Sequence, residues 1–364
     1  MLRIILTALL VLISFNSHAD TRIVDLPPCP AVNDDGSTLP LTPSRIRTVT
    51  SRQEDNVAVP PELRNTPLTV VGFFESGGSD PYKQVGTLDQ LSIGYQQWNH
   101  GTGSLYSDFL SSLQISDIEL ASNEIMANLK ELYEHSKNRI SRSRATRIIN
   151  LWKTPMPNDP LVGGVRKSVR THLQNWLGLQ KIRNKQNALI EKKLRLAYSY
   201  TRKWLADQEI RNPTSEELNL TITSFYDLLV YNGSRKGLWL QHVKSFREKF
   251  ENGMSTVKYI SNWLISCSEV NRPSCNHQKM YNRKEAKKNA ELWISTVEDN
   301  NETFSDNQIN LFVFGYLRAL RSKGSNYPNG FPGIYQADVM MRRGTVALKL
   351  GTVRGQKITD IWPE

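Results

Sequence analysis

From residue 105 onward the apolar residues recur with a helical period, and two capping boxes mark where helices begin, so the chain is constrained to a mainly helical fold. Thr214 and Glu217 form a T-x-x-E box directly after Pro213; the helix it opens runs through Phe225 and Leu229 to a glycine stop at Gly233. Ser305 and Gln308 form a second box. Ile309, Phe312, Tyr316, Leu317 and Leu320 follow on one face, and Lys323 and Gly324 mark the end. The same periodicity predicts helices near 118–134, 165–206, 238–250, 253–266, 282–298 and 334–350. There is no internal repeat and no long low-complexity tract.

The N-terminus reads differently. Arg3, an apolar run over 4–13 extended by Phe15, and the small-x-small sequence Ser17-His18-Ala19 form the pattern of a cleavable secretory signal over 1–19. The expected destination is therefore export, to a periplasm or out of the cell. The apolar core is too short for a bilayer anchor, and no other segment approaches the roughly 18 apolar residues of a span, so no membrane span is expected in the mature chain. Residues 20–66 are rich in Pro, Ser, Thr, Asp and Asn, broken by Pro27-Pro28 and Pro60-Pro61, and read as an extended arm. The folded part is expected over 67–364, long enough to bury a core without a disulfide framework. Cys267 and Cys275 are spaced to close a short loop in an oxidising compartment, which leaves Cys29 odd. Three scattered thiols with His277 nearby do not make a zinc-ligand spacing, so no metal is expected.

The formal charge of +11 is concentrated. Residues 130–203 hold eighteen Lys and Arg against four Asp and Glu, while the rest of the chain is near neutral. Such a block favours an anionic polymer or surface. It also fits the solvated faces of long helices, since Lys and Arg are good helix formers.

The chemistry is concentrated in VVGFFESGGSDPYKQVGTLDQLSIGYQQWNHGTGSL, residues 70–105. Glu75 follows Phe73 and Phe74 and precedes Ser76-Gly77-Gly78, a carboxyl at the end of an apolar segment where a turn begins. Burial beside those rings would raise its pKa, as a general acid requires. Asp89 stands among Thr87, Gln90 and Ser92, a polar setting in which a carboxylate remains ionised. Two carboxyls in contrasting environments suit glycosidic cleavage: one protonates the leaving oxygen, and the other activates water or stabilises the developing cation. Tyr95 and Trp98 fit stacking on sugar rings and core packing equally well. Asn99 and His100 offer hydrogen bonds to a substrate, although a His in a Gly-rich turn is more often structural. A Ser-His-Asp hydrolase is the chemical rival, but no G-x-S-x-G elbow occurs. There is no P-loop or dinucleotide fingerprint, and no cofactor is expected.

At these residues the chain resembles the chitosanase branch of the lysozyme-like superfamily. The resemblance rests on a Glu ending the first core helix, an Asp in a following hairpin, and a G-[YF]-x-x-x-x-x-G-T-G-x-L run, which here spans 94–105. It implies Glu75 as general acid and Asp89 as base, with Ser92 orienting the attacking water. It also implies a single-displacement, inverting hydrolysis without metal or cofactor; Tyr95, Trp98, Asn99 and Thr102 are the candidate substrate contacts beside these residues. Phe225-Tyr226-Asp227 through Val230-Tyr231-Asn232-Gly233 looks like the family's core helix, and Arg342-Arg343 through Gly351-Thr352-Val353-Arg354-Gly355 like its closing segment. The implied fold is a mainly α, lysozyme-like, two-lobed α+β domain with a small β-hairpin bearing Asp89 beside a cleft, and Glu75 on one wall. A basic helical insertion at about 115–211 has no counterpart in the resemblance. The interval from Glu75 to Asp89 is shorter than in typical chitosanases, which makes Asp80 a competitor for the second carboxylate.

Charge chooses among glycans. Chitosan is a polycation, and the basic block argues against it. The expected partner is peptidoglycan or a related anionic cell-wall glycan, which points to a muramidase. An inhibitor or immunity protein is implied if the target is a competitor's wall. Chitosan cleavage, a non-catalytic wall-binding protein on a hydrolase scaffold, and a secreted nucleic-acid binder are the alternatives; no nucleic acid is expected as the main partner.

Overall fold

The computed structural model describes residues 57–86, 90–231, 233–269, 283–299, 304–320 and 334–363. The expected signal at 1–19, most of the arm, Asp89, Cys29, Cys275, His277, Lys323 and Gly324 lie outside them, and of Cys267 only its place in a helix is described.

The described chain is mainly helical with three small antiparallel sheets. It divides into two compact units. The first comprises 45–240 and 343–364. It opens with α1 (Asn65–Ser76) and a three-stranded sheet in the order β1 (Val85–Gly86), β2 (Ser92–Ile93), β3 (Trp98–Asn99). The helices α2 (Ile115–Ile118), α3 (Asn123–Ser136) and α4 (Arg142–Lys153) follow. Next come the hairpin β4 (Leu161–Val162) and β5 (Val165–Arg166), then α5 (Lys167–Leu177), α6 (Gln180–Asp207) and α7 (Ser215–Tyr231). The second unit is built from 241–342 and holds α9 (Gly253–Glu269), α10 (Arg283–Glu298) and α11 (Asp306–Leu320). The division falls at the start of α8 (Leu240–Arg247) and within α12 (Ile334–Leu348). The chain ends with the hairpin β6 (Thr352–Val353) and β7 (Gln356–Lys357) and α13 (Ile358–Ile361).

Both capping boxes form. The Thr214 N–H donates to Glu217 Oε2 at 2.8 Å and the Glu217 N–H returns to Thr214 Oγ1 at 3.1 Å. The Ser305 N–H donates to Gln308 Oε1 at 2.9 Å and the Gln308 N–H to Ser305 Oγ at 3.2 Å. Each box satisfies two backbone donors that a helix start leaves without an intrahelical partner. The periodic stretch at 165–206 proves to be two helices, broken where Leu179 takes an extended ψ of 136°. Helix α4 was not expected at all, yet Ala145, Ile148, Ile149 and Trp152 are its buried face.

In the first unit one apolar core runs from the sheet (Val85, Ile93, Trp98) through Phe109, Ile125, Leu129, Ile149 and Trp152 to Trp176 and Ile182. The helices expected as an insertion therefore share their core with the sheet: removing them would expose Trp98 and Phe109, whose rings stack at 4.6 Å. A smaller cluster seats the C-terminal segment on α1, with Val346, Val353, Ile358 and Ile361 against Val70 and Phe74. Burial of each such side chain contributes about 1.5–3 kcal/mol. In the second unit α9 packs on α10 and α11, with Trp263 edge-on to Tyr316 at 5.1 Å and Trp293 edge-on to Phe312 at 5.2 Å.

Candidate functional site

Glu75 lies half-buried in the last turn of α1, whose apolar residues Val70, Val71 and Phe74 are buried. The helix stops at Gly77, which adopts a left-handed φ of 64° and donates its N–H to the Phe73 carbonyl at 2.7 Å. Glycine is the residue that takes this conformation without a Cβ clash. The chain then turns through a 3₁₀ segment, Pro81–Lys83, into β1.

Asp80 is held structurally. Its Oδ1 accepts the Tyr82 N–H at 3.1 Å, capping the 3₁₀ turn, and its Oδ2 accepts from Arg183 of α6. The Arg183 guanidinium also lies 5.0 Å from the Tyr82 ring centre. Asp89 belongs to the connection between β1 and β2 and is outside the described residues.

Ser92 opens β2 and accepts a hydrogen bond from Asn99 Nδ2 at 2.8 Å, so its own hydroxyl proton is available to a further acceptor. Asn99 orders the Gly101-Thr102-Gly103 turn: its Oδ1 accepts the Thr102 N–H at 2.9 Å, and its N–H donates to Ser104 Oγ at 2.8 Å. Thr102 is exposed, its hydroxyl 3.2 Å from that of Ser104. The two aromatic candidates lie inside the protein. Trp98 is buried and stacked on Phe109, and Tyr95 is buried with its hydroxyl donating to the Leu68 carbonyl of α1. Of the two roles the sequence left open for these rings, each occupies the packing one here. His100 is also buried, its Nδ1 2.5 Å from the Tyr106 hydroxyl and its Nε2 3.2 Å from Thr146 Oγ1. Burial, aided by the Arg142 charge, pulls its pKa down to about 4, so it is neutral at pH 7.

One buried amide ties the region together. Gln186 of α6 accepts the Tyr95 N–H at 3.0 Å and donates to the carbonyls of Leu177 at 3.2 Å and Tyr82 at 3.3 Å. It thus bridges the sheet, the 3₁₀ turn and the end of α5 from a fully buried position.

Glu75 interacts electrostatically with three groups outside its own helix: the phenols of Tyr95 and Tyr226, both raised chiefly by burial, and the ammonium of Lys193. Lys193, on α6, is lowered by burial against the opposing charges of Asp108 and Glu75. Asp108 belongs to a π-helical turn, Leu105–Phe109, and accepts from Ser107 Oγ at 2.8 Å. The Gln96 amide and the Tyr226 hydroxyl are both buried, and the Gln96 side chain acts on the Tyr226 phenol. Glu75 thus has a cation, Lys193, and the buried phenols of Tyr95 and Tyr226 within electrostatic reach. Tyr226 stood in the Phe225-Tyr226-Asp227 segment singled out from sequence; Lys193 carried no local signal.

A groove of about 390 Å³ also borders α1, lined by Leu68, Thr69, Phe73, Ser76, Asp360 and Ile361 among others. Part of the basic block is structural. Lys181 Nζ lies 2.8 Å and Lys185 Nζ 3.8 Å from the carboxylate of Asp117, which is wholly buried. Burial alone would raise the Asp117 pKa, and Lys181, the Gln114 N–H and Lys185 together lower it. Among the described residues no three His, Cys, Asp or Glu side chains are grouped to hold a metal ion. No family model matches this chain, and neither does any curated protein or solved structure.

Proposed function

We propose that the protein is an exported glycoside hydrolase cleaving β-1,4 linkages of an amino-sugar polymer, with peptidoglycan as substrate and Glu75 as general acid. The observation that carries this reading is local. A half-buried Glu stands in the last turn of α1, a left-handed glycine and a 3₁₀ turn lead the chain into a three-stranded sheet, and Ser92 opens the second strand of that sheet. Protonation of the leaving oxygen by Glu75, and attack by a water that Asp89 deprotonates and Ser92 orients, would invert the anomeric centre; carboxyl groups roughly 6.5–9.5 Å apart leave room for that water. Tyr95 and Trp98 support the sheet from within, and sugar contacts fall to Asn99, Thr102 and the exposed rim. Positive charge over 130–203 favours a wall polymer bearing carboxylates and phosphates over cationic chitosan.

The test is mass spectrometry of soluble products after incubating the protein, and Glu75→Gln beside it, with purified peptidoglycan. Muropeptides ending in reducing N-acetylmuramic acid, released by the wild type alone, are expected. No release by either protein, with retention on the insoluble wall, would instead mark a binding protein.

A further inference from the structure

Among the described residues eight large apolar side chains are well exposed, and four of them, Leu151, Met156, Leu161 and Val162, fall within twelve residues of chain. Exposed apolar side chains that are contiguous, unlike a scatter of single ones, mark an interaction surface, and Met156, Leu161 and Val162 meet at one hairpin. Leu161 and Val162 form β4, and both are exposed. The turn that follows is tight: Gly163 and Gly164 take φ values of 59° and 78°, and Val162 pairs with Val165 across them. Positive φ at both central residues gives the hairpin turn whose twist matches that of its strands. Val165 is fully buried, so one strand is anchored in the core while the other faces water. Met156 joins the same surface, its Sδ 2.9 Å from Nη1 of Arg166, the cross-strand partner of Leu161.

Cations border these side chains. Arg166 touches Met156; Lys167 is exposed and bonds through its N–H to the Pro160 carbonyl at 2.9 Å. The Arg170 guanidinium reaches the tip, lying where a side chain on Gly163 would stand. The one acid between Glu134 and Glu191 in sequence, Asp159, is engaged by Ser168 Oγ at 2.5 Å, the Ser168 N–H at 2.8 Å and Arg166 at 3.7 Å. The surface is aliphatic: residues 153–171 contain no Phe, Tyr or Trp, so it offers no ring for a sugar to stack on.

We propose that this hairpin docks the protein peripherally on an anionic phospholipid surface. Leu161, Val162 and Met156 enter the acyl border, while Arg166, Lys167 and Arg170 meet the headgroup phosphates. An anionic glycan would satisfy the cations and leave the aliphatic side chains in water, whereas a bilayer satisfies both. Among the described residues no helix is long and apolar enough to cross a membrane, so the attachment is to one face.

The experiment is flotation of the full chain with vesicles of phosphatidylcholine alone or mixed equally with phosphatidylglycerol, at physiological salt. Binding to the anionic vesicles is expected, falling about tenfold in Leu161→Ser/Val162→Ser, and amide exchange in the wild type should slow over 156–166 when vesicles are present. The idea is overturned if anionic vesicles do not bind, or if the serine pair binds as well as the wild type, which would leave adhesion by charge alone. It is equally overturned if the slowed amides lie elsewhere, or if soluble polyglycerol phosphate competes as effectively as the vesicles.

Discussion

Tyr95 reaches the backbone of the helix that carries Glu75 because position 72 is glycine. The phenol donates to the Leu68 carbonyl, and a Cβ on Gly72 would stand 2.9 Å from its oxygen and 3.3 Å from Cζ. Alanine is worth about 1 kcal/mol more than glycine in a helix, but overpacking a buried contact costs about 1–3 kcal/mol. Gly72→Ala is therefore expected to lose up to about 2 kcal/mol of stability. In a Tyr95→Phe background the oxygen is gone and the same change should be nearly neutral. Urea unfolding of the four proteins would reveal this coupling; equal losses in both backgrounds would refute it.

The carboxyl groups are separable by substitution. Glu75→Gln is expected to abolish glycan cleavage, a loss of at least about 1000-fold, with an unchanged far-ultraviolet spectrum. Asp89→Asn should approach the same loss. Asp80→Asn breaks a cap and an ion pair and is expected to cost about 1 kcal/mol of stability while keeping most activity. Loss of activity in Asp80→Asn with a native melting temperature would transfer the role of base to Asp80.

His100 should make the fold acid-sensitive. Its folded pKa is depressed to about 4, so between the unfolded value near 6.5 and pH 4 the unfolded chain binds the proton and the folded chain does not. Stability from this residue is full above about pH 6.5 and falls as pH drops towards 4, by at most about 3 kcal/mol. His100→Gln lacks that proton. Melting temperatures of the two proteins should differ in slope across this window and run parallel above it.

Gln186 holds three backbone groups at once. Gln186→Leu keeps the volume but strands a donor and two carbonyls, and a loss of about 2–4 kcal/mol is expected. Amide exchange should quicken at Tyr95, whose N–H loses its acceptor.

What the sequence could express was whatever lies within a turn or two of chain. The boxes at Thr214 and Ser305 were legible because both halves of each are three residues apart. Helix α4 carried an equally readable 145, 148, 149, 152 spacing behind Ser141, but its seven polar or charged neighbours masked it. The Gly163-Gly164 dipeptide was likewise a readable hairpin signal that went unused. The site divides along the same line. That Glu75 ends an apolar segment where a turn begins followed from local residues, whereas the helix and the small sheet after it were implied by the resemblance alone. Whether Tyr95 and Trp98 face sugar or core did not, because Leu68, Gln186 and Phe109 decide it. Lys193 and Tyr226 lie more than a hundred residues from Glu75, and no local pattern announces such a meeting.

The two bonds of Tyr95 also impose an order on assembly. Its hydroxyl closes a loop of 27 residues to Leu68, whereas its N–H waits for a partner 91 residues further on. A chain growing from its N-terminus thus carries Glu75 and the sheet for a long stretch of synthesis before Gln186 is made. Any fragment ending ahead of α6 would keep the Tyr95 tie to Leu68 but lack the Gln186 bridge, so the last side-chain anchor of that loop arrives only when about half of the chain has been made.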